Sequence, residues 1–157
     1  DVDNSDGTPL DLFGGRAGSM AAFVVAAYMK GVPMIYNGQE VACPVKLNFF
    51  NNSTTIDWTI NGDVTTEYKK VIAFRNNSTA LRNGTLQSYS SDDACVFTKT
   101  AGSNTVLTMV NLRNTPVTYT FPAVLTNTDW TDAFDGTVWH TGTMITLPAY
   151  SYKVWQR

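Results

Sequence analysis

One stretch of sequence decides the interpretation of the fold: Gly31-Val32-Pro33-Met34-Ile35-Tyr36-Asn37-Gly38-Gln39-Glu40. Its apolar part, residues 32–36, is short and is bounded by chain-breaking residues, a pattern typical of a strand that is buried on both faces in a parallel sheet. Such a strand needs neighbours, because unpaired backbone groups at its edges would be costly. The pattern therefore predicts partner strands that lie upstream of Asp1 or in another chain.

The residues just before this stretch predict a buried helix over residues 15–29. Ala17, Met20 and Val24 recur at helical spacing, and Ala26 belongs to an opposite side that is also apolar. A helix that is apolar all round is expected to be buried on every side. The order of helix, tight turn and buried strand is typical of one half of a βαβ unit.

The rest of the chain carries one further helix pattern and then strand patterns. Residues 65–75 predict a helix in which Tyr68, Val71 and Ile72 share one face, while Lys69 lies off it. Short stretches rich in β-branched and aromatic residues follow at spacings of roughly ten residues, with turn signals between them. They are residues 86–89, 94–100, 105–110, 117–121, 138–141, 144–147 and 151–155. This pattern predicts an antiparallel β-sandwich with one face of a sheet in water.

Composition limits the class of protein. The chain has 157 residues, of which 43% are hydrophobic and 15% charged, and its formal net charge is -2. This length allows one domain, or a small domain plus part of another. The near-neutral balance argues against nucleic acid as a partner, because phosphate binding needs a clustered excess of Lys and Arg. No run of ~18 or more apolar residues is present, so no membrane span is predicted.

The beginning of the chain is acidic and rich in turn-forming residues. Residues 1–7 contain neither an initiator Met nor a signal-peptide pattern, which predicts a piece of a longer protein. The chain is rich in Asn, Thr and Ser and poor in Lys and Glu. That composition favours an extracytoplasmic location, whether secreted, periplasmic or at the cell surface.

Residues that commonly bind metals are scarce. Cys43, Cys95 and the single histidine, His140, are too few for a structural zinc site, which needs about four ligands. A disulfide between the two cysteines is left open, beside the alternative of two unpaired thiols. Residues 1–7 do not fit the ligand spacing of an EF-hand loop. No metal site is predicted in this chain, and His140 is expected to be a plain surface or edge residue.

The stretch 31–40 resembles the Gly-x-Pro-x-x-Tyr-x-Gly-x-Glu segment of the alpha-amylase superfamily of glycoside hydrolases, which forms the eighth strand of a (β/α)8 barrel and its exit loop. Further resemblances to this superfamily lie in Phe49-Phe50, Ile56-Asp57-Trp58, residues 68–75, residues 80–84 and residues 147–152. The resemblance implies an α+β chain. Residues 1–84 would be the last βα elements of a (β/α)8 TIM barrel, and residues 85–157 would be an antiparallel β-sandwich.

The resemblance also implies an activity for the full-length protein: retaining hydrolysis of α-glucosidic bonds in starch-like glucans. The nucleophile and the acid/base residue of the superfamily lie on earlier barrel strands and are not in this chain. Asp1 falls where the superfamily's Asn-His-Asp motif would end, which implies a transition-state stabiliser. Retaining hydrolysis needs two carboxyl groups ~5 Å apart, and no pair in this chain suggests such an arrangement. The chain alone is therefore expected to be inactive.

Cofactor and partner expectations follow from the same resemblance. No cofactor is expected in this chain, while calcium is expected as an option of the full-length enzyme. The expected partner is an α-glucan, and the exposed edges of a cut barrel predict a homo-oligomer that covers them. The sequence does not separate hydrolase from transferase, nor does it fix the linkage, because those choices lie in upstream loops.

Five side chains are candidates for contact with sugar, each with a structural alternative. Tyr36, Gln39 and Glu40 follow the barrel strand at the end where active sites are built, and are either substrate-proximal or structural, with the structural role favoured. Trp130 and Trp139 either stack against sugar rings or fill the sandwich core. For the whole chain, the corresponding alternative is a non-catalytic carbohydrate-binding or structural β-sandwich module.

Overall fold

A computed structural model describes residues 7–48 and 53–157. The described parts form four α-helices and eight β-strands. The helices are α1 (Pro9–Leu12), α2 (Gly15–Tyr28), α3 (Gly62–Asn77) and α4 (Thr79–Asn83). The strands are β1 (Thr85–Ser88), β2 (Cys95–Ala101), β3 (Asn104–Asn111), β4 (Val117–Thr120), β5 (Asp129–Asp132), β6 (Val138–His140), β7 (Met144–Leu147) and β8 (Ser151–Gln156). Short 3-10 turns occur at Gln39–Val41 and Ala123–Leu125.

Helix α2 confirms the helix predicted over residues 15–29 but not its burial on every side. It contacts α3 and strands β3 and β8, where Phe23 and Val24 are buried. Ala26, on the opposite side, is exposed, and Ala22 and Val25 beside it are only half-buried. The prediction of all-round burial is wrong for this chain, because α3 and the sheet cover only one side of the helix. Among the described residues, no helix has the length and apolarity to cross a membrane.

Helix α3 extends beyond the predicted residues 65–75 at both ends. It begins after Asn61, whose φ of 52° places it in the left-handed region. Tyr68 and Val71 are buried and Lys69 is exposed, so the predicted face is confirmed. Helix α4 follows at once, because the Ser78 hydroxyl accepts a hydrogen bond from the backbone N–H of Leu81 at 3.2 Å and caps the new helix.

The strand predicted over residues 32–36 is not formed, and the prediction of its burial is wrong for this chain. The backbone there joins no ladder with another described residue. Val32 is 88% exposed and Met34 is 71% exposed. The physical reason is that the described part of the chain places no strand beside this segment. A run of apolar residues becomes a strand only when another backbone satisfies its N–H and C=O groups.

The second half confirms the prediction of antiparallel sheets. A six-stranded sheet has the order β1-β2-β3-β8-β5-β6, and β4 pairs with β7 in a second sheet. Seven short strands were predicted within a residue or two of their observed ends, whereas β5 was not predicted. Its sequence, Asp129-Trp130-Thr131-Asp132, carries acidic residues at both ends, which is more typical of a turn than of a strand.

The six-stranded sheet is the middle of three layers. One face packs on the helices through residues such as Phe97, Val106 and Val110. The other face packs on β4 and β7, with Leu107 and Tyr119 in that second core. The prediction that one face of the sheet would be in water is therefore wrong. It rested on alternation along β2, and both sides of that strand are covered, since Phe97 packs towards the helices and Val96 towards β4 and β7.

Candidate functional site

The turn after the exposed segment is held by the side chain of Gln39. The backbone N–H of Gln39 donates to the carbonyl of Tyr36 at 2.9 Å. In return, the Gln39 side-chain oxygen accepts a hydrogen bond from the backbone N–H of Tyr36 at 3.1 Å. Gly38 makes the turn with a φ of 88°, a left-handed conformation that favours glycine. These contacts give Gln39 a structural role in this chain.

The same turn is fastened to the beginning of α3. The Thr65 hydroxyl donates to the backbone carbonyl of Glu40 at 2.8 Å. The Asn61 side-chain amide donates to the carbonyl of Val41 at 2.8 Å. Arg16 at the start of α2 reaches the same region, with its guanidinium 3.1 Å from the Asp63 carboxylate. The backbone of Glu40 is therefore held by the beginning of α3.

The carboxylate of Glu40 is incompletely satisfied. Its Oε2 atom is buried and has no hydrogen-bond partner among the described residues. A buried carboxylate oxygen without a donor is costly, so such an atom calls for a partner. Glu40 combines a firmly held backbone with a carboxylate that lacks its expected donor.

Tyr68 lies beside Gln39 and Glu40, although the sequence pattern predicted it only as a residue of the buried helix face. Its ring packs on Phe23, with ring centres 4.4 Å apart. Burial raises the pKa of Tyr68 to about 12, a hydrogen bond with Gln39 opposes that rise, and the charge of Glu40 adds to it. Gln39, Glu40 and Tyr68 therefore lie together. The helical pattern of α3 placed Tyr68 on its buried face, but it carries no signal for the contact with the turn.

A narrow cleft of about 30 Å³ opens beside this group. Its lining includes Arg16, Met20, Gln39, Cys43 and Tyr68. The lining is mainly apolar with a few polar groups, but the volume is far below the roughly 300–1,000 Å³ of a small-molecule site. Tyr36 and Glu40 do not line it. Of the predicted sugar-contacting side chains in this region, the structure places Gln39 at the cleft and the other two beside it.

Two of the features predicted from the sequence concern residues that the structure does not describe. Asp1, the predicted transition-state stabiliser, and Phe49-Phe50 lie outside the described residues. Among residues 7–48 and 53–157, no group of three or more His, Cys, Asp or Glu side chains is placed to hold a metal ion. The carboxylates of this part of the chain thus offer no cluster that fits calcium.

The two tryptophans are placed differently. Trp130 is only 1% exposed, and its indole N–H donates to the Thr128 hydroxyl at 2.8 Å. It lies in the core between the sheets, as the structural alternative expects. Trp139 is half-buried and stacks on Trp155, with ring centres 4.4 Å apart and planes within 11° of parallel. Only Trp139 retains accessible ring surface for a ligand.

The remaining predicted residues have simple surroundings. His140 is exposed on β6, with its Nδ1 atom 2.6 Å from an Asp129 carboxylate oxygen. Cys43 and Cys95 are both free thiols. Burial raises the pKa of the Cys95 thiol, and a hydrogen bond with Ser90 opposes that rise. The structure thus corresponds to the alternative of two unpaired cysteines.

The helices and the sheet meet at a seam formed by two tyrosines near the end of the chain. The ring of Tyr150 lies so close to Gly14 that a Cβ there would sit 2.3 Å from its atoms. The Tyr152 hydroxyl donates to the Glu67 carboxylate on α3. Glu67 is also 2.7 Å from the ammonium of Lys70. Both tyrosines belong to the stretch 147–152 that resembles the closing strand of the superfamily.

Comparison with known proteins gives structural neighbours only. No protein-family model matches the chain, and no curated protein matches it. The alpha-amylase from Geobacillus thermoleovorans, solved with acarbose, superposes with a TM-score of 0.77 at 16% identity, over 96% of this chain and 34% of that one. An Anoxybacillus alpha-amylase gives 0.75 at 15% identity, over 87% of this chain and 31% of that one. AmyP, solved with maltose, gives 0.74 at 17% identity, over 90% and 34%.

This chain spans about a third of the length of each of these three solved structures. Its helices and antiparallel sheets are matched almost completely, while the larger part of each neighbour has no counterpart in it. At identities this low, the likeness establishes the fold. The structural neighbours of this chain are alpha-amylase-family glycoside hydrolases, and the chain has the fold of one region of those enzymes.

Proposed function

We propose that this chain is the C-terminal part of an alpha-amylase-type retaining glycoside hydrolase that acts on α-glucosidic bonds of starch-like glucans. The observation that carries the proposal is the unpaired segment at residues 32–36. It is apolar and exposed, with Met34 71% exposed, and it leads into the held turn that carries Gln39 and Glu40. The amylase-like fold around this segment and the maltose bound by AmyP support a glucan as substrate.

The proposal divides the chain into residues 1–84, the end of a (β/α)8 barrel, and residues 85–157, the C-terminal sandwich. Two features of the first part support a barrel origin. Residues 32–36 have the composition of an interior parallel strand, and α2 has an apolar side on which Ala26 is exposed, since no described residue covers it. Both would gain neighbours from further strands and helices of a barrel.

On this proposal the isolated chain does not hydrolyse glucans. Glu40 is a firmly placed carboxylate near the cleft, but Asp63 is paired with Arg16, and Glu67 is engaged by Lys70 and Tyr152. Two carboxyl groups ~5 Å apart, one protonated and one ionised, are needed for retaining hydrolysis. The nucleophile and the acid/base residue would come from earlier strands, and Asp1 would stabilise the charged transition state.

The test compares the 157-residue chain with the longer protein expressed from its natural coding sequence. Release of reducing ends from soluble starch is expected from the longer protein and not from the chain alone. In the longer protein, Asp1→Asn is expected to lower kcat by about 10²–10³-fold, as loss of an electrostatic stabiliser does. Glu40→Gln in the same protein tests the favoured structural role, which predicts a lower melting temperature and a smaller loss of kcat.

Release of reducing ends by the purified 157-residue chain would contradict the proposal. An inactive longer protein would contradict it as well. Upstream codons for Asn-His directly before Asp1 would support the assigned role of that residue.

A second candidate function, a non-catalytic carbohydrate-binding module, is favoured by one observation. Trp139 is half-buried and held flat against Trp155, so its remaining surface is a rigid aromatic platform. Affinity electrophoresis of the chain in soluble starch tests it. Retardation that is lost in Trp139→Ala and kept in the matched exposed variant Val138→Ala would favour the module. Unchanged mobility in both would favour a purely structural domain.

We also propose that copies of the isolated chain associate through the exposed apolar segment. Val32 and Met34 are the most exposed large apolar side chains near it, and self-association would remove them from water. Light scattering of the chain and of Met34→Lys is the test. A monomeric wild-type chain, or an oligomer unaffected by Met34→Lys, would contradict this contact.

A further inference from the structure

The dipeptide Asn-Gly occurs three times in the chain, as Asn37-Gly38, Asn61-Gly62 and Asn83-Gly84. This pair is prone to spontaneous loss of the asparagine amide, because the backbone nitrogen of the glycine can attack the side-chain carbonyl carbon and no glycine side chain hinders it. The attack needs a free backbone nitrogen and a chain that can rotate at the asparagine. Since the reacting pair is the same in all three places, the fold decides which pair reacts first.

The first of these pairs is the least constrained. Asn37 is exposed, and its side-chain amide makes no hydrogen bond with another described residue. The backbone N–H of Gly38 donates to no described residue either. Residues 32–36, directly before it, join no ladder, so the chain can rotate at Asn37 without unpairing a strand. The rotation breaks the two hydrogen bonds that link Tyr36 and Gln39 across the turn.

The second pair is held through the side chain of its asparagine. The Asn61 amide nitrogen donates to the carbonyl of Val41 at 2.8 Å, and the amide oxygen accepts from the Arg16 guanidinium at 2.6 Å. The backbone carbonyl of Asn61 accepts the first hydrogen bonds of α3, from the N–H groups of Val64 and Thr65. Ring closure at Asn61 therefore needs the loss of both side-chain contacts and of the first turn of α3.

The third pair is held through its glycine. The backbone N–H of Gly84 donates to the carbonyl of Ala80 at 2.8 Å, so the nitrogen that must attack is already engaged. A Cβ at Gly84 would lie 2.3 Å from that carbonyl oxygen and 3.0 Å from the backbone of Thr100, which leaves the peptide little room to rotate. Asn83 is exposed, as Asn37 is, so exposure of the asparagine does not by itself distinguish the two pairs.

We propose that Asn37 is a site of spontaneous deamidation in this chain. The backbone nitrogen of Gly38 loses its proton and forms a bond to Cγ of Asn37. The bond from Cγ to Nδ2 breaks, and the amide nitrogen leaves with that proton as ammonia. The product is a succinimide ring. Water then opens the ring at Cγ to give aspartate, or at the main-chain carbonyl to give isoaspartate, and either product carries one new negative charge.

The modification would alter the turn that carries the candidate site. Isoaspartate adds one atom to the backbone between Tyr36 and Gln39, so the reciprocal hydrogen bonds of these two residues would no longer both fit. Gln39 is also a hydrogen-bond partner of Tyr68, and that contact depends on the same turn. The inference concerns the chemistry of this chain and does not rest on the proposed hydrolase function.

The experiment incubates the 157-residue chain at mildly alkaline pH, at a concentration low enough to keep it monomeric. Trypsin places the three pairs in separate peptides, because it cuts after Lys30, Lys46, Lys69, Arg82 and Lys99. Mass spectrometry follows the gain of one mass unit in each peptide, and fragment ions assign it to a residue. Conversion at Asn37 is expected to be about tenfold faster than at the other two pairs, since each further hydrogen bond that must open slows ring closure.

The chain in concentrated guanidinium chloride is the matched control, because all three pairs are then unfolded and should react at similar rates. Equal rates in the folded chain, or faster conversion at Asn61 or Asn83, would overturn the proposal. A preference for Asn37 that persists unchanged in the denaturant would overturn it as well, because the flanking sequence and not the fold would then select the site.

Hydrogen exchange tests the effect on the turn. The N–H groups of Ala42 and Cys43 donate to the carbonyls of Gln39 and Gly38, and both are expected to exchange faster in the converted chain. The control is Asn37→Gln, incubated in the same way, whose longer side chain does not form the five-membered ring readily. Exchange that is equal in the converted chain and in this variant would show that the turn survives the modification, against the proposed effect.

Discussion

Residues 32–36 and strand β3 are similar in sequence but differ in structure. The first is Val-Pro-Met-Ile-Tyr, and the centre of β3 is Val106-Leu107-Thr108-Met109-Val110. Met34 is 71% exposed, whereas Met109 is completely buried between β2 and β8. The difference teaches that an apolar run specifies a tendency to be buried, while the neighbours that the chain supplies decide whether burial occurs.

The largest expected effect compares the same substitution in both regions. Met109→Ala should lower the free energy of unfolding by about 2–5 kcal/mol, because it leaves a cavity in the core. At protein concentrations low enough to keep the chain monomeric, Met34→Ala should change it by less than about 0.5 kcal/mol, because the side chain is then in water. Urea unfolding of both variants measures this. A large loss for Met34→Ala would mean that the segment is buried in solution by another copy.

The next effect tests how closely the residues around Gly18 of α2 are packed. A Cβ at Gly18 would lie 1.5 Å from the carbonyl oxygen of Phe13 and 3.1 Å from the Tyr150 ring. Gly18→Ala should therefore lower the free energy of unfolding by about 1–3 kcal/mol. Gly62→Ala is the control, since a Cβ there has open space. If thermal melting shows equal stability for both variants, the Phe13 carbonyl does not approach Gly18 this closely.

A smaller effect is expected at the contact between Tyr152 of β8 and Glu67 of α3. Tyr152→Phe removes the hydroxyl that donates to the Glu67 carboxylate, and hydrogen bonds to charged groups contribute about 1.5–3 kcal/mol. A loss near the lower value is expected, because Lys70 continues to engage Glu67. Tyr89→Phe, which loses no side-chain hydrogen bond, should be nearly neutral in the same urea experiment. Equal losses in the two variants would exclude a specific contribution from Glu67.

The smallest effect concerns Lys99, a lysine of β2 that is buried beside α4. Lys99 is 5% exposed and donates to the carbonyl of Leu81, and burial lowers its pKa, with the nearby charges of Arg75 and Lys30 adding to the effect. In the window between its lowered pKa and the usual 10.5, the unfolded chain binds more protons, so stability rises with pH there. Lys99→Met should be more stable than wild type at pH 7, and the difference should shrink towards pH 10.5.

Unfolding of wild type and Lys99→Met from pH 7 to pH 10.5 measures this difference and cancels the titration of the buried tyrosines. A difference that stays constant across the range would contradict a lowered pKa. A less stable variant at every pH would show that the hydrogen bond to Leu81 outweighs the cost of burying the ammonium.

The candidate site also combines features that are set by neighbouring residues in the chain with contacts that depend on how distant elements pack. The stretch 31–40 placed Gln39 and Glu40 directly after an apolar run, and the structure shows a hydrogen-bonded turn there. It could not show that Tyr68 joins them, because that contact depends on how α3 packs. It also could not separate Trp130 from Trp139, since a strand pattern gives alternation but not which aromatic ring the second sheet covers.

The sequence by itself determined the features that depend on near neighbours in the chain: the period of α2, the face of α3 and most strands of the antiparallel sheets. Only the tertiary structure decided that residues 32–36 stay unpaired, that both faces of the six-stranded sheet are covered, and that Lys99 is buried. The physical reason is the separation along the chain of the residues that set each feature. Helical periods and turns are set within a few residues, whereas strand pairing and burial depend on backbone and side chains that are distant in the chain.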